Sequence, residues 1–251
     1  MGSSLVKEPR LRLTDVSSDM LGFAITTWDV SPAAMAKHLP RGIEPECFRL
    51  AGGERALVSA VTFSNTNFYV GFAPFVKLAC AQTNYRAYVK RDGMRAVWFF
   101  GTSLDSMFVA LPRYLWRLPW HRARVRTAHD LGQRLVYDWR AEAPRAEERL
   151  LLHGTGAPLA ELPGFKSAAE TQEVLTHPTI GYLRRQNGTI ATYGVWHAPL
   201  AMEVATPMEA RFELFERLGL VGAGQAPHSA LVQRATRFLV RLPPRRVPEL
   251  E

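Results

Sequence analysis

Thiols, lysines and long apolar runs are all scarce in this chain of 251 residues. Cys47 and Cys80 are the only cysteines. Neither belongs to a CxxC pair or a metal-type spacing, which excludes a disulfide framework and a zinc module. Two small buried apolar side chains are the plain expectation for them. No run approaches the ~18 uncharged apolar residues of a membrane span. The opening MGSSLVKEPRLRL lacks the apolar stretch of a secretory signal, and Val6 stands where a myristoylation signal needs Ser or Thr. A cytoplasmic protein with no membrane partner is therefore expected, and Asn187-Gly188-Thr189 then reads as a turn, not a glycosylation site. GxGxxG, Walker, GxSxG and HExxH patterns are all missing, so nucleotide, flavin, serine-hydrolase and zinc-protease chemistry have no local support. The seven histidines, at positions 38, 121, 129, 153, 177, 197 and 228, include no pair at metal spacing. Neither a metal nor a cofactor is expected.

Apolar residues make up 47% of the chain, enough for a sizeable core. The formal charge is +8, and 31 residues are Lys or Arg. Only Lys7, Lys37, Lys77, Lys90 and Lys166 are lysines, and the arginines are scattered. No nucleic-acid-binding motif accompanies them, so no nucleic-acid partner is expected. Homo-oligomerisation is left open.

Leu21–Val30 reads as a strand running into a helix capped by Ser31 with Pro32 in its first turn. Ala56–Phe63, Arg134–Trp139, Glu148–His153 and Arg234–Leu242 also read as strands, the last being the final one. Thr189–Val204 is strand interrupted at Pro199. Ser106–Trp120 is expected to be partly helical, broken by its prolines. Leu175–Gln186 reads as a short helix ended by Asn187-Gly188. A clearer helix is expected after Thr206, with Pro207 in the first turn, Glu209 completing a capping box and Gly219 closing it. No repeat or linker appears. The pattern predicts one α+β domain over 1–251, with its core at about 20–242 and flexible tails at 1–10 and 243–251.

The sharpest local signal is the pair of runs LACAQTNYRAYVKR and MRAVWFFGTSLD around Asp92-Gly93, a pair suited to a two-residue type I′ hairpin. Alternation puts Gln82, Asn84, Arg86 and Tyr88 on one face of the first arm. An unbroken register sets Ser103 opposite Gln82, Gly101 opposite Asn84, Phe99 opposite Arg86 and Val97 opposite Tyr88, with Asp105 next to Ser103. The other face, with Val89, Ala96, Trp98 and Phe100, is greasier, and either face could be the outside. Amides are poor choices for a solvated strand, and a Gly opposite an Asn suggests a close approach. An Arg beside an aromatic ring suits a carboxylate or enolate-like oxygen. These features favour the polar face turning inward to a ligand.

The stretches QTNYRAYV, VWFFGTSLD, LPRYLWRLPWHRARV and TYGVWHAPLAME together resemble the YqjF-like family of bacterial proteins, relatives of acetoacetate decarboxylase, across roughly Thr26–Arg241. The resemblance implies a double-sheet, cone-like antiparallel β-barrel with peripheral helices and a ligand cavity lined by Arg86 and its neighbours. Two departures stand out: Gln82 replaces an acidic residue of the family, and Phe99–Ser103 holds no lysine where acetoacetate decarboxylase carries its Schiff-base amine. Amine-catalysed decarboxylation is not expected here.

The expected function is lysine-independent acid–base chemistry on a small carbonyl or carboxylate compound: isomerisation, dehydration, cyclisation or decarboxylase-like lysis. Gln82, Asn84, Arg86, Tyr88, Phe99, Ser103 and Arg113 are the candidate substrate contacts. His197, Tyr193 and Asp105 are the candidate proton-transfer groups. The competing expectation is a non-catalytic binding or sensor barrel, or a chaperone-like accessory protein, since holding a ligand and transforming it use the same residue types.

Overall fold

A computed structural model describes residues 8–107, 110–132, 135–143 and 146–248. Residues 1–7 and 249–251 lie outside it, as do Phe108, Val109, Gln133, Arg134, Pro144 and Arg145, so the expectations falling on those positions have no structural counterpart. The strands are β1 (Val16–Val30), β2 (Glu44–Pro45), β3 (Cys47–Leu50), β4 (Gly53–Val70), β5 (Leu78–Arg91), β6 (Met94–Leu104), β7 (Trp120–Arg122), β8 (Arg124–Thr127), β9 (Val136–Ala143), β10 (Ala146–Pro158), β11 (Ile180–Arg184), β12 (Ile190–His197), β13 (Glu203–Phe212), β14 (Ser229–Val240) and β15 (Arg245–Val247). Four short helices interrupt them: α1 (Pro32–Ala36), α2 (Ala110–Leu115), α3 (Ala168–Thr171) and α4 (Glu213–Arg217).

The spatial order β12-β11-β6-β5-β4-β1-β14 returns to its start, because β12 also pairs with β14 through Val195–Val240, Trp196–Leu239 and His197–Phe238. Strand β14 forks. Its first half pairs with β13, which continues into β10, β9 and β8 as an arm folded over the ring. Two apolar clusters follow from this layout. One holds Ala24, Trp28, Tyr85, Trp98, Tyr137, Trp139 and Phe215, where the arm covers the outer face of the ring. The other holds Phe23, Val61, Phe63, Tyr88, Val97, Phe99 and Leu231 on the inner face.

The hairpin expectation holds at its tip. Asp92 and Gly93 both take positive φ (51° and 76°), the type I′ geometry, and Arg91 faces Met94. Further along, β6 carries one extra residue: Arg86 pairs with Phe99, but Tyr85 pairs with Gly101 and Thr83 with Ser103. This bulge at Phe100 flips the rest of the strand by one face. Neither face of the hairpin is outside, because ring and arm bury both.

Three expectations need correction. The stretch Thr206–Phe212 continues β13, paired with β10, and only α4 beyond it is helical. Alternation of Ala205 and Phe212 into the core overrides the capping signals, and the register skips at Met208, beside Pro207, which has no N–H to donate. Leu175–Gln186 is not a helix either. Gln172–Thr176 forms a π-helical turn and β11 follows, with Asn187-Gly188 as the β11–β12 turn. The expected C-terminal tail contains β15, which pairs with β12. Ser31 does cap α1, accepting from the Ala34 N–H at 3.3 Å.

Candidate functional site

Every strand of the closed path contributes a side to one cavity of about 120 Å³: Phe23, Val61, Arg86, Phe99, Gly181, Tyr193 and Phe238 come from β1, β4, β5, β6, β11, β12 and β14 in turn. Alternation along β5 puts Gln82, Asn84 and Arg86 in its wall, with Tyr88 buried one step further.

Arg86 is 9% exposed. Its Nε donates to Ser59 Oγ at 2.8 Å, and its Nη2 donates to Tyr88 OH at 3.0 Å and to the Leu175 carbonyl at 2.9 Å. That carbonyl also accepts from Tyr88 OH at 3.1 Å, and belongs to the π-helical turn. The guanidinium lies 5.2 Å from the Tyr88 ring centroid. All these partners are neutral. Among the described residues no ion pair includes Arg86, and no hydrogen bond of Arg86 to them uses Nη1. Burying an ion without a counter-charge costs several kcal/mol, which carbonyl and hydroxyl partners offset only in part.

Beside Arg86 runs a chain of neutral groups. Ser18 Oγ donates to Asn65 Oδ1 at 2.5 Å, Asn65 Nδ2 to Gln82 Oε1 at 3.3 Å, and Gln82 Nε2 to Asn84 Oδ1 at 2.9 Å. Thr102 Oγ1 donates to the same Asn84 oxygen at 3.0 Å. Thr102 thus occupies the place expected of Ser103. The Phe100 bulge turns Ser103 to the opposite face, where it joins a cluster around Glu148. Asp105 and Arg113 are exposed and line no part of the cavity, Asp105 because β6 ends at Leu104 and Arg113 because it projects from α2. Gly101 faces Tyr85 and not Asn84. Its nearest neighbour is the chain just before β7: a Cβ would sit 3.4 Å from the Pro119 carbonyl, an ordinary contact, so the expected close approach is not found there.

Tyr193 lines the cavity and stacks on Phe99, with centroids 5.6 Å apart. Burial pushes its phenol above the ordinary value, with Arg86 pulling the other way. Gly181 makes the stack fit, since a Cβ there would meet Phe99 Cε2 at 2.7 Å and Tyr193 Cζ at 3.2 Å. His197 is buried just behind the wall. It stacks on Phe238 at 4.4 Å, meets the His177 ring edge-on at 4.6 Å, and donates from Nδ1 to the Ala198 carbonyl at 2.8 Å. Burial is the first cause that takes its pKa down to about 4, and His177 and Arg86 add to the fall.

Glu148, which sequence reasoning missed, is fully buried between ring and arm. Its carboxylate accepts from Thr83 Oγ1 and Tyr85 OH at 2.5 Å each and from Trp139 Nε1 at 2.9 Å. Burial nevertheless leaves its pKa raised. The only sequence signal was an acid at an inward position of a strand, in register with Phe212. Lys37, Lys77, Lys90 and Lys166 lie away from the cavity, and Lys90 pairs with Glu46 at 3.6 Å. Among the described residues no three His, Cys, Asp or Glu gather as a metal site would require, and no helix is long and apolar enough to cross a membrane.

The same architecture recurs in solved structures. An acetoacetate decarboxylase-like enzyme from Sphingomonas wittichii RW1 is 10% identical, with 100% of both chains covered and a TM-score of 0.62. The acetoacetate decarboxylase of Legionella pneumophila is 12% identical over 98% of this chain and 93% of its own, with a TM-score of 0.59. The enduracididine biosynthesis enzyme MppR, complexed with the condensation product of pyruvate and imidazole 4-carboxaldehyde, is 11% identical over 94% and 90%, also with a TM-score of 0.59. At such identities these likenesses speak for the fold, which is acetoacetate decarboxylase-like. No curated protein sequence matches. The profile of the DUF2071 family, described as an uncharacterized conserved protein, matches residues 20–237. That span runs from Met20 within β1 to Arg237 within β14 and reaches all seven strands of the closed ring, and the chain belongs to the DUF2071 family.

Proposed function

We propose that the protein encloses a small carbonyl- or carboxylate-bearing compound in a barrel cavity and acts on it by acid–base chemistry that needs no lysine. The observation that carries this reading is Arg86, a buried guanidinium that lines the cavity with neutral partners and an unengaged Nη1. An anionic ligand oxygen would supply its counter-charge through a charge-assisted hydrogen bond. Asn84, Gln82 and Thr102 would orient the remainder of the ligand, and Phe99 and Tyr88 would hold the guanidinium in place. Tyr193, kept protonated by burial, suits donation to an enolate-like oxygen. His197, neutral near pH 7 with its Nδ1–H held by Ala198, keeps Nε2 as an acceptor for a proton, which it would reach once the Phe238 ring stacked on it moves aside from the cavity. Isomerisation, dehydration, cyclisation and lysis of a carbonyl compound can each proceed through such an enol or enolate. Two neighbours support the ligand class: one is named for acetoacetate, and MppR was also solved with pyruvate.

A second reading, a non-catalytic binder or sensor, is favoured by one feature of the same wall. Its residues include no Lys, Asp, Glu or His among those described.

Proton–deuterium exchange of a 2-oxo acid in heavy water, followed by NMR alongside calorimetric binding, tests the proposal. The expected result is exchange in the wild type. Arg86→Ala weakens binding by about 2–4 kcal/mol, and Arg86→Lys restores little of it. His197→Ala slows exchange by about 10²–10⁴ at nearly unchanged affinity. Binding without exchange in the wild type selects the binder. Absence of binding to 2-oxo and 3-oxo acids alike overturns both readings.

A further inference from the structure

We infer that the ligand is a monocarboxylate with an apolar body of about three carbons, held head-down on Arg86; the inference rests on the reading of Arg86 given above. The polarity of the cavity is one-sided. The amides and Thr102 lie on the β4–β5–β6 side, and Arg86 sits where β4, β5 and β6 meet the π-helical turn. Across the ring, β14 and the segment after it present Phe238, Val240 and Leu242, and β1 presents Met20 and Phe23. Phe68, Phe238 and Val240 are half-buried, whereas Arg86, Met20 and Phe23 are nearly closed off, so apolar residues reach the open end of the cavity.

A short polar oxo acid would satisfy Arg86 but leave this apolar wall facing water. An apolar body would cover it, and every methylene moved out of water onto such a surface raises affinity about fourfold. Size sets the limit. The cavity of about 120 Å³ is smaller than the roughly 150 Å³ that admits the six carbons of a benzene ring, so a carboxylate with a body of about three carbons fills it. The amide strip then meets one edge of the ligand, where a carbonyl or hydroxyl oxygen can face Asn84 Nδ2. Asn84 Oδ1 is already taken by Gln82 and Thr102.

Isothermal titration calorimetry with acetate, butanoate, hexanoate, octanoate, pyruvate and butan-1-ol tests this. In the wild type, butanoate should bind on the order of tenfold more tightly than acetate, and more tightly than pyruvate, with no further gain at hexanoate or octanoate. Arg86→Met should remove the preference for butanoate over butan-1-ol. Val240→Trp, at the half-buried outer end, should abolish the gain of butanoate over acetate; thermal melts verify that both variants fold. A flat response to chain length, with Arg86→Met still abolishing acid binding, overturns the apolar body and leaves the anion site standing. Chain-length dependence with unchanged acid preference in Arg86→Met overturns the anion site itself. No binding of any acid overturns both.

Discussion

Arg86 carries its charge into a wall where its partners are hydroxyls, one carbonyl and a ring face. Those partners position the guanidinium without neutralising it, which is the state a site for an anion needs. His197 illustrates how position tunes a group of the same neighbourhood. Its folded pKa of about 4 lies below the ordinary value of about 6.5, so between these two pH values the unfolded chain binds the extra proton. Stability contributed at this residue is therefore intact above about pH 6.5 and falls as the pH drops toward 4, by up to about 3 kcal/mol. His197→Phe, which preserves the stack on Phe238, should lose less melting temperature than the wild type between pH 7 and 5. Equal losses in the two proteins would contradict the burial argument. Gln82, Asn84, Arg86, Phe99 and Tyr193 were legible in the sequence through alternation and family likeness. Glu148 was not, because a single acid in a strand announces neither its burial nor the three donors that come from β5 and β9.

Elements decide which faces those residues take. The β5–β6 turn was readable from Asp92-Gly93, but the Phe100 bulge was not. It lies well inside the strand, and nothing local distinguishes Phe99-Phe100-Gly101 from an unbroken alternation. One extra residue there exchanges Ser103 for Thr102 in the cavity wall. The opposite error at Thr206–Phe212 has a related cause: capping residues are local signals, and pairing with β10 outweighed them. On β11, the close approach at Gly181 ties strand packing to the site. Gly181→Ala should push Phe99 and Tyr193 into the cavity. We expect destabilisation of about 1–3 kcal/mol from overpacking, together with weakened ligand binding. Unchanged binding in a variant of unchanged melting temperature would show that these two rings do not shape the ligand space.

At the scale of the molecule, the closure of β12 on β14 gives the chain an inside, and the arm of β8, β9, β10 and β13 gives that ring a dry second face. A single sequence reveals strands by their period, but not which distant strands close on one another. The two-sided burial of β5 therefore appeared as a choice between faces when both are covered. The inside contains no lysine among the described residues, with Lys90 held at the hairpin tip by Glu46. Borohydride reduction in the presence of a 3-oxo acid should accordingly trap no stoichiometric adduct. A mass increase on Lys90 or Lys77 would overturn the lysine-independent reading.

The central claim is that Arg86 receives the ligand's anionic group inside the ring. A crystal structure with 3-bromopropanoate tests it most directly, since anomalous scattering locates the bromine and ordinary density the carboxylate. The account predicts a carboxylate oxygen about 3 Å from Arg86 Nη1, with bromine toward Val240 and Leu242. Acid bound elsewhere on the protein, with Arg86 Nη1 unliganded, would contradict it.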